Sequence, residues 1–573
     1  MMNLIPMPKT LRQEKRYFLY KHVHVVTEGL DDRLVKALNK LPLSDDGARM
    51  AIKINGVKGE KYTLKITEDR IVLEAEGLAG AFYGIQTLRQ IFTHDKIPCL
   101  YIEDRPDFAY RGFYQDVTRG RVPKMEWLKH LIDQMAYYKL NSLQLYVEHT
   151  FAFQEFADSI EETGYLSSEE IRELDDYCYE NFIELIPSIA TFGHLYELLE
   201  KPQYKELCML ENYEPEHHYW IGRSRHHTID PANPKSFALI QSMIDQYLPL
   251  FRSDKFNICG DETFDLSAGR HEGEDTARLY VDFIKQIVEY VQSRGKKIMM
   301  WADILLKYPE TIEELPDNIQ YLNWYYDLEV KESDMEVFEK LERPQIVCPG
   351  SNSWASLCPN VSKAELNICR MTELGYKHGA VGVLNTVWGD CGHPCSNTLT
   401  MYGMVVGAEK SWSVHTKLDE QFTCNINKLL FRNHHGLEML RWLSLLNEPA
   451  SYLALCSHYS NLVSKEPLEI PVPSEEMVYR TQRACMDYIH LLTKEQWELD
   501  FYREEMLVTA EGIAVIIELM AKVAGYSITR YTNTKEWLLK YRKRWLADNK
   551  ESELREIENM FLCVEQNLKS KEG

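Results

Sequence analysis

The chain has 573 residues, of which 45% are hydrophobic and 27% charged, so it is long enough for two or three globular domains. Its formal net charge of −22 disfavours nucleic acid and anionic membranes as partners, because both are polyanions that the mean field of the protein would repel. We expect a small neutral substrate instead, and the sequence leaves a homodimer possible.

The N-terminal twenty residues do not have the pattern of a secretion signal. Charged residues such as Lys9, Arg12 and Glu14 interrupt them, and no later apolar run reaches the roughly 18 residues that a membrane span needs. The 13 cysteines form no CxxC pair, which favours reduced thiols over a disulfide framework. We therefore predict a cytoplasmic protein.

Two groups of side chains are spaced suggestively for a metal. Cys391 and Cys395 flank His393, but no second cluster of ligands accompanies them. The adjacent pair His226-His227 has side chains that diverge in direction, so a loop is the better interpretation. We predict neither a metal nor a cofactor.

Residues 1–105 are predicted to form a small α/β domain. Residues 62–66 and 70–75 alternate between apolar and polar positions like the two strands of a hairpin, and residues 78–92 have helical spacing. Residues 104–107 contain a proline after an arginine, a pattern that favours an extended turn, and they mark the expected domain boundary.

Residues 106–411 alternate between short apolar runs and amphipathic helices. The helical patterns include 125–140 and 277–294, each with one apolar face. Eight such units with right-handed crossovers predict a closed parallel (β/α)8 barrel. The predicted strands are residues 111–117, 142–148, 184–190, 255–260, 296–302, 319–324, 345–348 and 381–387.

Residues 412–573 contain only helical patterns, so we predict an all-α C-terminal domain. Its clearest helices are expected at residues 419–431, 474–493, 500–523 and 551–568. No catalytic constellation is visible there, and packing against the barrel or a second subunit is favoured over a role in substrate binding.

The fourth predicted strand ends in two adjacent acids, Asp261 and Glu262. The carboxyl ends of barrel strands converge on one pocket, so this pair is a candidate for acid/base chemistry on a polar substrate. The alternative is that the two carboxylates only cap the next helix.

Other polar residues follow the predicted strands. Arg119 follows the first strand. It either donates hydrogen bonds to a substrate, through hydroxyls or a carboxylate, or forms a surface salt bridge. His194 follows the third strand and either contacts the substrate or supports residues that do.

The last four strands end in or near tryptophan, mostly followed by an acid. Any one of these indoles, at Trp301, Trp324, Trp354 and Trp388, is more often core packing. Together, with carboxylates such as Asp390 between them, they offer flat faces to the C–H surface of a sugar and acceptors to its hydroxyls. A sugar pocket is therefore the leading hypothesis.

Several stretches resemble glycoside hydrolase family 20, the β-N-acetylhexosaminidases, and they occur in the order typical of that family. The resemblance covers about residues 55–410, and residues 77–88 look like the end of the domain that precedes the barrel there. The matching stretches are YRGFYQDVTR at 110–119, MAYYKLN at 135–141, FGH at 192–194, DPANP at 230–234, GDE at 260–262 and WGD at 388–390.

The resemblance implies exo-acting, retaining removal of terminal β-linked GlcNAc or GalNAc. In the common scheme one carboxyl protonates the leaving oxygen and another attacks the anomeric carbon, which adjacent acids cannot easily do from opposite faces. The family uses the 2-acetamido carbonyl of the substrate as nucleophile, through an oxazolinium-type intermediate. By matching position, Glu262 is the general acid and base, with a raised pKa, while Asp261 orients the acetamido N–H and stabilises the developing positive charge.

The resemblance also assigns the other candidates. Arg119 would hold the 3- and 4-hydroxyls, while Trp388 and Asp390 would form the floor and the contacts to O4 and O6. Trp301 and Trp324 would enclose the acetamido methyl group.

Two departures from the family pattern stand out. The tyrosine that usually reaches the acetamido oxygen is missing after the seventh strand, where Trp354 stands, and Tyr326 is favoured over Tyr325 to replace it. Asp390 stands where many members have glutamate, which would relax the choice between gluco and galacto epimers.

Two alternatives stay open at this point. One is a glycosidase for a sugar that lacks the acetamido group. The other is a catalytically silent glycan-binding barrel, although a decayed site would be free to lose its carboxylates and aromatic residues.

Overall fold

The computed structural model describes residues 2–158, 164–211, 217–223, 227–464 and 467–572. The predicted fold class is confirmed: a closed (β/α)8 barrel follows a small α/β domain and precedes a helical region. In the described residues, no helix is both long and apolar enough to cross a bilayer, and no group of three His, Cys, Asp or Glu side chains is placed to hold a metal ion.

The N-terminal domain is a six-stranded sheet in the order β1-β6-β4-β5-β3-β2, with α2 among its helices. The predicted hairpin is confirmed, since β4 and β5 pair antiparallel with Tyr62 opposite Ala75 and Ile66 opposite Ile71. The elements are β1 Thr10–Tyr17, β2 Val23–Val25, α1 Asp32–Leu38, β3 Ala48–Ile54, β4 Tyr62–Ile66, β5 Arg70–Ala75, α2 Leu78–Ile91 and β6 Pro98–Asp104.

The barrel closes in the order β7-β8-β9-β10-β11-β12-β13-β14, and every neighbouring pair is parallel. All eight predicted strands are present. Their bounds are β7 Tyr110–Asp116, β8 Ser142–Val147, β9 Glu184–Ile189, β10 Lys255–Asn257, β11 Lys297–Trp301, β12 Gln320–Trp324, β13 Gln345–Cys348 and β14 Gly382–Val387.

Strand β10 is shorter than predicted, and the reason is local. The side chain of Asn257 accepts a hydrogen bond of 2.9 Å from the backbone N–H of Cys259, which occupies that N–H, although the N–H of Ile258 and the carbonyl of Cys259 still bond to β11. Cys259 and Gly260 then adopt left-handed φ angles of 56° and 81°. The apolar run therefore ends as an irregular turn that carries the two acids, rather than as a strand.

The helices that surround the barrel bury apolar residues against it, and the two predicted from the sequence bury one apolar face each. In α3, for example, Leu128, Leu131, Ile132 and Met135 are buried. These helices are α3 Met125–Tyr137, α4 Ser168–Glu180, α5 Tyr196–Leu199, α6 Tyr219–Arg223, α7 Pro234–Tyr247, α8 Thr276–Ser293, α9 Glu332–Lys340, α10 Val361–Lys377 and α11 Asn397–Trp412.

The N-terminal domain is joined to the amino-terminal end of the barrel, away from the candidate site. At the start of β7, the fully buried guanidinium of Arg111 pairs with Glu60 at 2.9 Å. Lys139 pairs with Asp104 at 3.1 Å, and the indole N–H of Trp412 donates to the same carboxylate at 2.9 Å. These buried polar contacts fix the domain beneath the barrel.

The C-terminal region is helical, as predicted, and it packs beside the opposite end of the barrel. Arg121, in the loop after β7, lies 4.1 Å from the ring centroid of Trp545, and Pro123 forms a β-bridge with Asn549. The helices are α12 Glu420–Ile426, α13 Gly436–Asn447, α14 Tyr452–Val463, α15 Glu475–Lys494, α16 Asp500–Val523, α17 Thr534–Asp548 and α18 Leu554–Glu572.

Candidate active site

A pocket of about 450 Å³ opens at the carboxyl ends of the barrel strands, a size typical of small-molecule sites. All ten residues proposed from the sequence border it: Arg119, His194, Asp261, Glu262, Trp301, Trp324, Tyr326, Trp354, Trp388 and Asp390. Six further residues border it that the sequence did not suggest: Trp220, Ile221, Arg223, Ala355, Cys391 and Leu453.

The carboxylate pair lies on a strained turn that other elements hold in place. Glu262 has a left-handed φ of 50°, a conformation that costs a non-glycine residue free energy and is concentrated at functional sites. Its backbone N–H donates to a carboxylate oxygen of Asp303 at 3.0 Å, and Tyr280 donates to the carbonyl of Gly260 at 2.8 Å. The pair does not cap the next long helix, since Asp275 caps α8, so that alternative is wrong.

His194 joins the two acids. Its Nε2 lies 3.3 Å from Asp261 Oδ2 and 3.3 Å from Glu262 Oε2. Burial lowers the pKa of His194, but the two carboxylates more than offset burial and raise it to about 10. The imidazole is therefore cationic at neutral pH, and it contacts both acids from the wall of the pocket.

The glycine before this histidine lets the two loops approach. A Cβ at Gly193 would lie 2.5 Å from the backbone carbonyl oxygen of Asp261, closer than any side chain tolerates. His194 itself has a φ of 58°. The sequence Phe-Gly-His thus brings the end of β9 against the turn that follows β10.

Arg119 lies in a network of carboxylates rather than in a surface salt bridge. Its side chain is 14% exposed and pairs with Asp390 at 2.7 Å and with Glu148 at 3.2 Å. The guanidinium also lies 5.2 Å from the ring centroid of Trp388. Asp116 accepts from the backbone N–H groups of Arg119 at 3.1 Å and of Gly389 at 3.0 Å, and so joins the first and last strand ends.

Nearby acids respond differently to burial. Burial and the neighbouring negative charge of Asp261 raise the pKa of Asp303 to about 7. Burial also raises the pKa of Glu148, but the imidazole of His149, 3.8 Å away, and the charge of Arg119 outweigh it and hold that pKa below its ordinary range. Glu148 is therefore a fixed negative charge beside Arg119, whereas Asp303 titrates near neutrality.

Aromatic rings wall the pocket. Trp301 and Trp388 are buried, with their ring centroids 5.8 Å apart. Trp324 stacks on Tyr326 at 5.0 Å, and Trp354 packs against the same tyrosine at 5.1 Å. These rings present the flat apolar faces that a pyranose requires.

The structure separates the two candidate tyrosines. The hydroxyl of Tyr326 accepts a hydrogen bond of 2.6 Å from the indole N–H of Trp388, and its ring borders the pocket. Tyr325 packs instead against a small separate cluster of buried residues that includes Phe108. Of the two, Tyr326 has the geometry to reach a bound substrate.

Of the histidines that are spaced suggestively for a metal, His393 and His227 are both buried. His393 is buried, and burial holds its pKa well below the ordinary value, so it is neutral. His226 lies outside the described residues, while His227 is buried with its ring 4.6 Å from that of Tyr196.

The fold and the pocket together define a (β/α)8-barrel protein with paired acids at its carboxyl face. Comparison with known families agrees with this class. The family model described as "Glycosyl hydrolase family 20, catalytic domain" matches residues 108–352, and "Glycosyl hydrolase family 20, domain 2" matches residues 1–105. The chain belongs to glycoside hydrolase family 20. Trp354, Trp388 and Asp390 lie beyond the matched part of the barrel, so their place in the site rests on geometry.

Two relatives are named β-hexosaminidase. The protein of Porphyromonas gingivalis is 27% identical over 44% of this chain and 36% of its own length, and that of Akkermansia muciniphila is 27% identical over 35% of this chain and 45% of its own length. The chain thus matches less than half the length of either relative.

Solved structures share the fold. A chitobiase of Flavobacterium johnsoniae has a TM-score of 0.63 at 20% identity and covers 91% of this chain and 92% of its own. A family 20 exo-β-N-acetylglucosaminidase of Vibrio harveyi, in complex with N-acetylglucosamine, has a TM-score of 0.58 at 17% identity, covering 74% of this chain and 75% of its own.

Proposed function

We propose that the protein is an exo-acting, retaining β-N-acetylhexosaminidase that removes terminal β-linked GlcNAc or GalNAc by substrate-assisted catalysis. The observation that carries the proposal is the adjacency of Asp261 and Glu262 within reach of one imidazole, in a pocket walled by indoles. Two carboxylates on one short turn approach a sugar from one side, so the nucleophile must come from elsewhere. The 2-acetamido carbonyl of the substrate supplies it.

In this proposal the two acids have different tasks. Glu262 protonates the leaving oxygen and then deprotonates the water that opens the oxazolinium ring. Asp261 accepts a hydrogen bond from the acetamido N–H and stabilises the positive charge that develops on the ring. The cationic His194 lies 3.3 Å from both acids and balances their negative charge.

The remaining residues hold the terminal sugar. Arg119 and Asp390, paired at 2.7 Å, offer donors and an acceptor to the hydroxyls, and Trp388 lies beneath the ring. Trp301 and Trp324 enclose the acetamido methyl group, and the hydroxyl of Tyr326 donates to the acetamido oxygen. Since aspartate is shorter than glutamate, Asp390 would accept both the gluco and the galacto epimer.

The pocket contains one more carboxylate, and it tests the proposal. Among the described residues that border the pocket, the acids are Asp261, Glu262 and Asp390. Asp390 is the only one of these with a salt bridge of 2.7 Å to Arg119, which lowers its nucleophilicity. A mechanism with an enzyme nucleophile would require this paired carboxylate to attack the anomeric carbon.

A leaving-group series distinguishes the two mechanisms. For Glu262→Gln we expect loss of disaccharide turnover by about 10²–10⁴-fold, and a much smaller loss on an activated aryl β-GlcNAc that needs little protonation. Glu289→Gln, on the exposed face of α8, is the matched control and should behave as the unmodified protein. Equal losses on both substrates would contradict the assignment of the acid.

The acetamido group is tested directly by substrates and by an inhibitor. The unmodified protein should cleave aryl β-GlcNAc and β-GalNAc, and it should bind a thiazoline analogue of the oxazolinium intermediate tightly. Asp261→Ala should abolish thiazoline binding. Cleavage of the corresponding β-glucoside at a similar rate would favour a glycosidase that needs no acetamido group, and absence of all turnover would favour a silent glycan-binding barrel.

We propose further that the enzyme acts in the cytoplasm on small oligosaccharides. The 13 cysteines all lie in described residues and are free thiols, which fits a reducing compartment. Detection of the protein in the culture medium, or in material released from cells without lysis, rather than with cytoplasmic markers, would overturn this.

A further inference from the structure

The mouth of the pocket includes a residue from the C-terminal helical region, Leu453. It borders the same pocket as the carboxylate pair, yet its side chain is 48% exposed, unlike the buried indoles of the floor. An exposed leucine beside a sugar pocket is an apolar surface available to a bound ligand. The helical region therefore contributes to the pocket wall.

Two contacts fix the position of this leucine. Leu453 is the second residue of α14, whose first turn is capped by Ser451, which accepts from the N–H of Ala454 at 3.1 Å. The buried Tyr452 donates to the carbonyl oxygen of Cys391 at 3.1 Å, next to Asp390. The start of α14 is thus attached to the loop that follows β14.

A second part of the mouth is also held by the helical region. In the short helix α6, the indole N–H of Trp220 donates to Glu553 at 2.6 Å, and Arg223 pairs with the same carboxylate at 2.5 Å. Arg223 also pairs with Glu197 at 2.6 Å. Trp220, Ile221 and Arg223 all border the pocket, so Glu553 holds part of the wall in place.

The same segment is held at its amino end. The ring nitrogen Nε2 of His218 lies 2.9 Å from Glu556, which also accepts from the hydroxyl of Tyr459 at 2.9 Å. The ring of Trp220 packs so closely on Gly392 that a Cβ there would lie 2.6 Å from it. Helices α14 and α18 thus clamp this side of the mouth against the loop after β14.

We propose that the C-terminal helical region forms the subsite for the leaving group, with Leu453 and Ile221 as its apolar edge. This inference rests on the proposed function. A terminal sugar among Arg119, Asp261 and Trp301 fills the base of the pocket, so the rest of the substrate must leave through the mouth. The apolar edge there suits the C–H face of a second pyranose ring.

Leu453→Ala tests the apolar edge. We expect kcat/KM for a β-linked GlcNAc disaccharide to fall about three- to tenfold through KM, since binding of the second ring is weakened. Binding of the thiazoline, which occupies only the terminal-sugar site, should change less than about twofold. Leu445→Ala, at a leucine that is 59% exposed elsewhere in the helical region, is the matched control and should change neither quantity.

Glu553→Gln tests the clamp in the same assays. It should also raise KM for the disaccharide and leave thiazoline binding unchanged, whereas Glu558→Gln in α18, which loses its bond to Arg542 of α17, should have no effect. Unchanged disaccharide kinetics in both Leu453→Ala and Glu553→Gln would overturn the inference, as would equal weakening of thiazoline and disaccharide. Failure of the unmodified protein to bind the thiazoline would instead overturn the proposed function.

Discussion

The charge of His194 is the most direct electrostatic prediction of the site. Its Nε2 lies 3.3 Å from both acids, and its pKa is raised from 6.5 to about 10 although burial opposes the rise. At about 1.36 kcal/mol for each pH unit, this difference corresponds to roughly 5 kcal/mol of net preference for the cation. The carboxylate of Asp261 makes the largest favourable contribution.

Asp261→Asn should therefore lower the pKa of His194 by roughly two pH units or more, toward the ordinary range. The measurement is a pH titration by NMR of protein labelled at the histidine Cε1 carbons, with the resonance assigned by its loss in His194→Gln. In the unmodified protein His194 should stay cationic through pH 8. In the variant it should titrate between pH 6 and pH 8.

Asp230→Asn is the matched control, because Asp230 accepts from His271 at 2.9 Å and helps to raise the pKa of that histidine. It should change the titration of His271 and leave that of His194 unaltered. Two results would refute the electrostatic reasoning: a pKa near 6.5 for His194 in the unmodified protein, or the same pKa with and without the Asp261 carboxylate.

Three further changes test the geometry. Tyr326→Phe should lower kcat about ten- to a hundredfold, whereas Tyr325→Phe should change kcat by less than about twofold. Equal effects of the two variants in steady-state kinetics would contradict the placement of the two rings. Gly193→Ala should lower kcat/KM at least about tenfold, because the added methyl group displaces the turn that carries the two acids. Normal activity would show that the two loops can move apart without disturbing the site. Asp303→Asn removes a negative charge that forms near pH 7. In the unmodified protein that charge favours the protonated form of Glu262, so without it the alkaline limb of the kcat/KM profile should move to lower pH. An unchanged pH profile would mean that the two groups do not interact.

The barrel was predictable from the sequence because its signals are local. A short apolar run followed by an amphipathic helix identifies each unit, and eight units leave one closed arrangement. Topology then brings distant strand ends together, which is why residues as far apart as Arg119 and Asp390 were predicted to share a pocket. The end of β10 could not be predicted as precisely. It depends on one hydrogen bond, from the backbone N–H of Cys259 to the side chain of Asn257, and a single bond leaves no periodic pattern in the sequence.

The contribution of the helical region was missed for a different reason. Leu453 stands in an ordinary helical pattern, and its place at the mouth depends on long-range packing such as that of Arg121 on Trp545. No local feature of the sequence specifies how a separate set of helices meets a barrel. Asp303 stands two residues after Trp301 in the sequence, but its hydrogen bond with the backbone N–H of Glu262 depends on how two separate loops meet in the fold.

The shared histidine explains how two adjacent acids can differ. His194 Nε2 carries a single N–H, and Asp261 and Glu262 lie at the same distance from it. One N–H donor cannot fully satisfy two carboxylates, so a substrate group that hydrogen-bonds to one acid leaves the histidine to the other. Because the backbone N–H of Glu262 donates to Asp303, a further carboxyl group lies beside Glu262, and it adds a negative charge there once it ionises. In the proposed mechanism this asymmetry matches the two tasks: Asp261 accepts from the acetamido N–H, and Glu262, next to Asp303, exchanges a proton with the leaving oxygen.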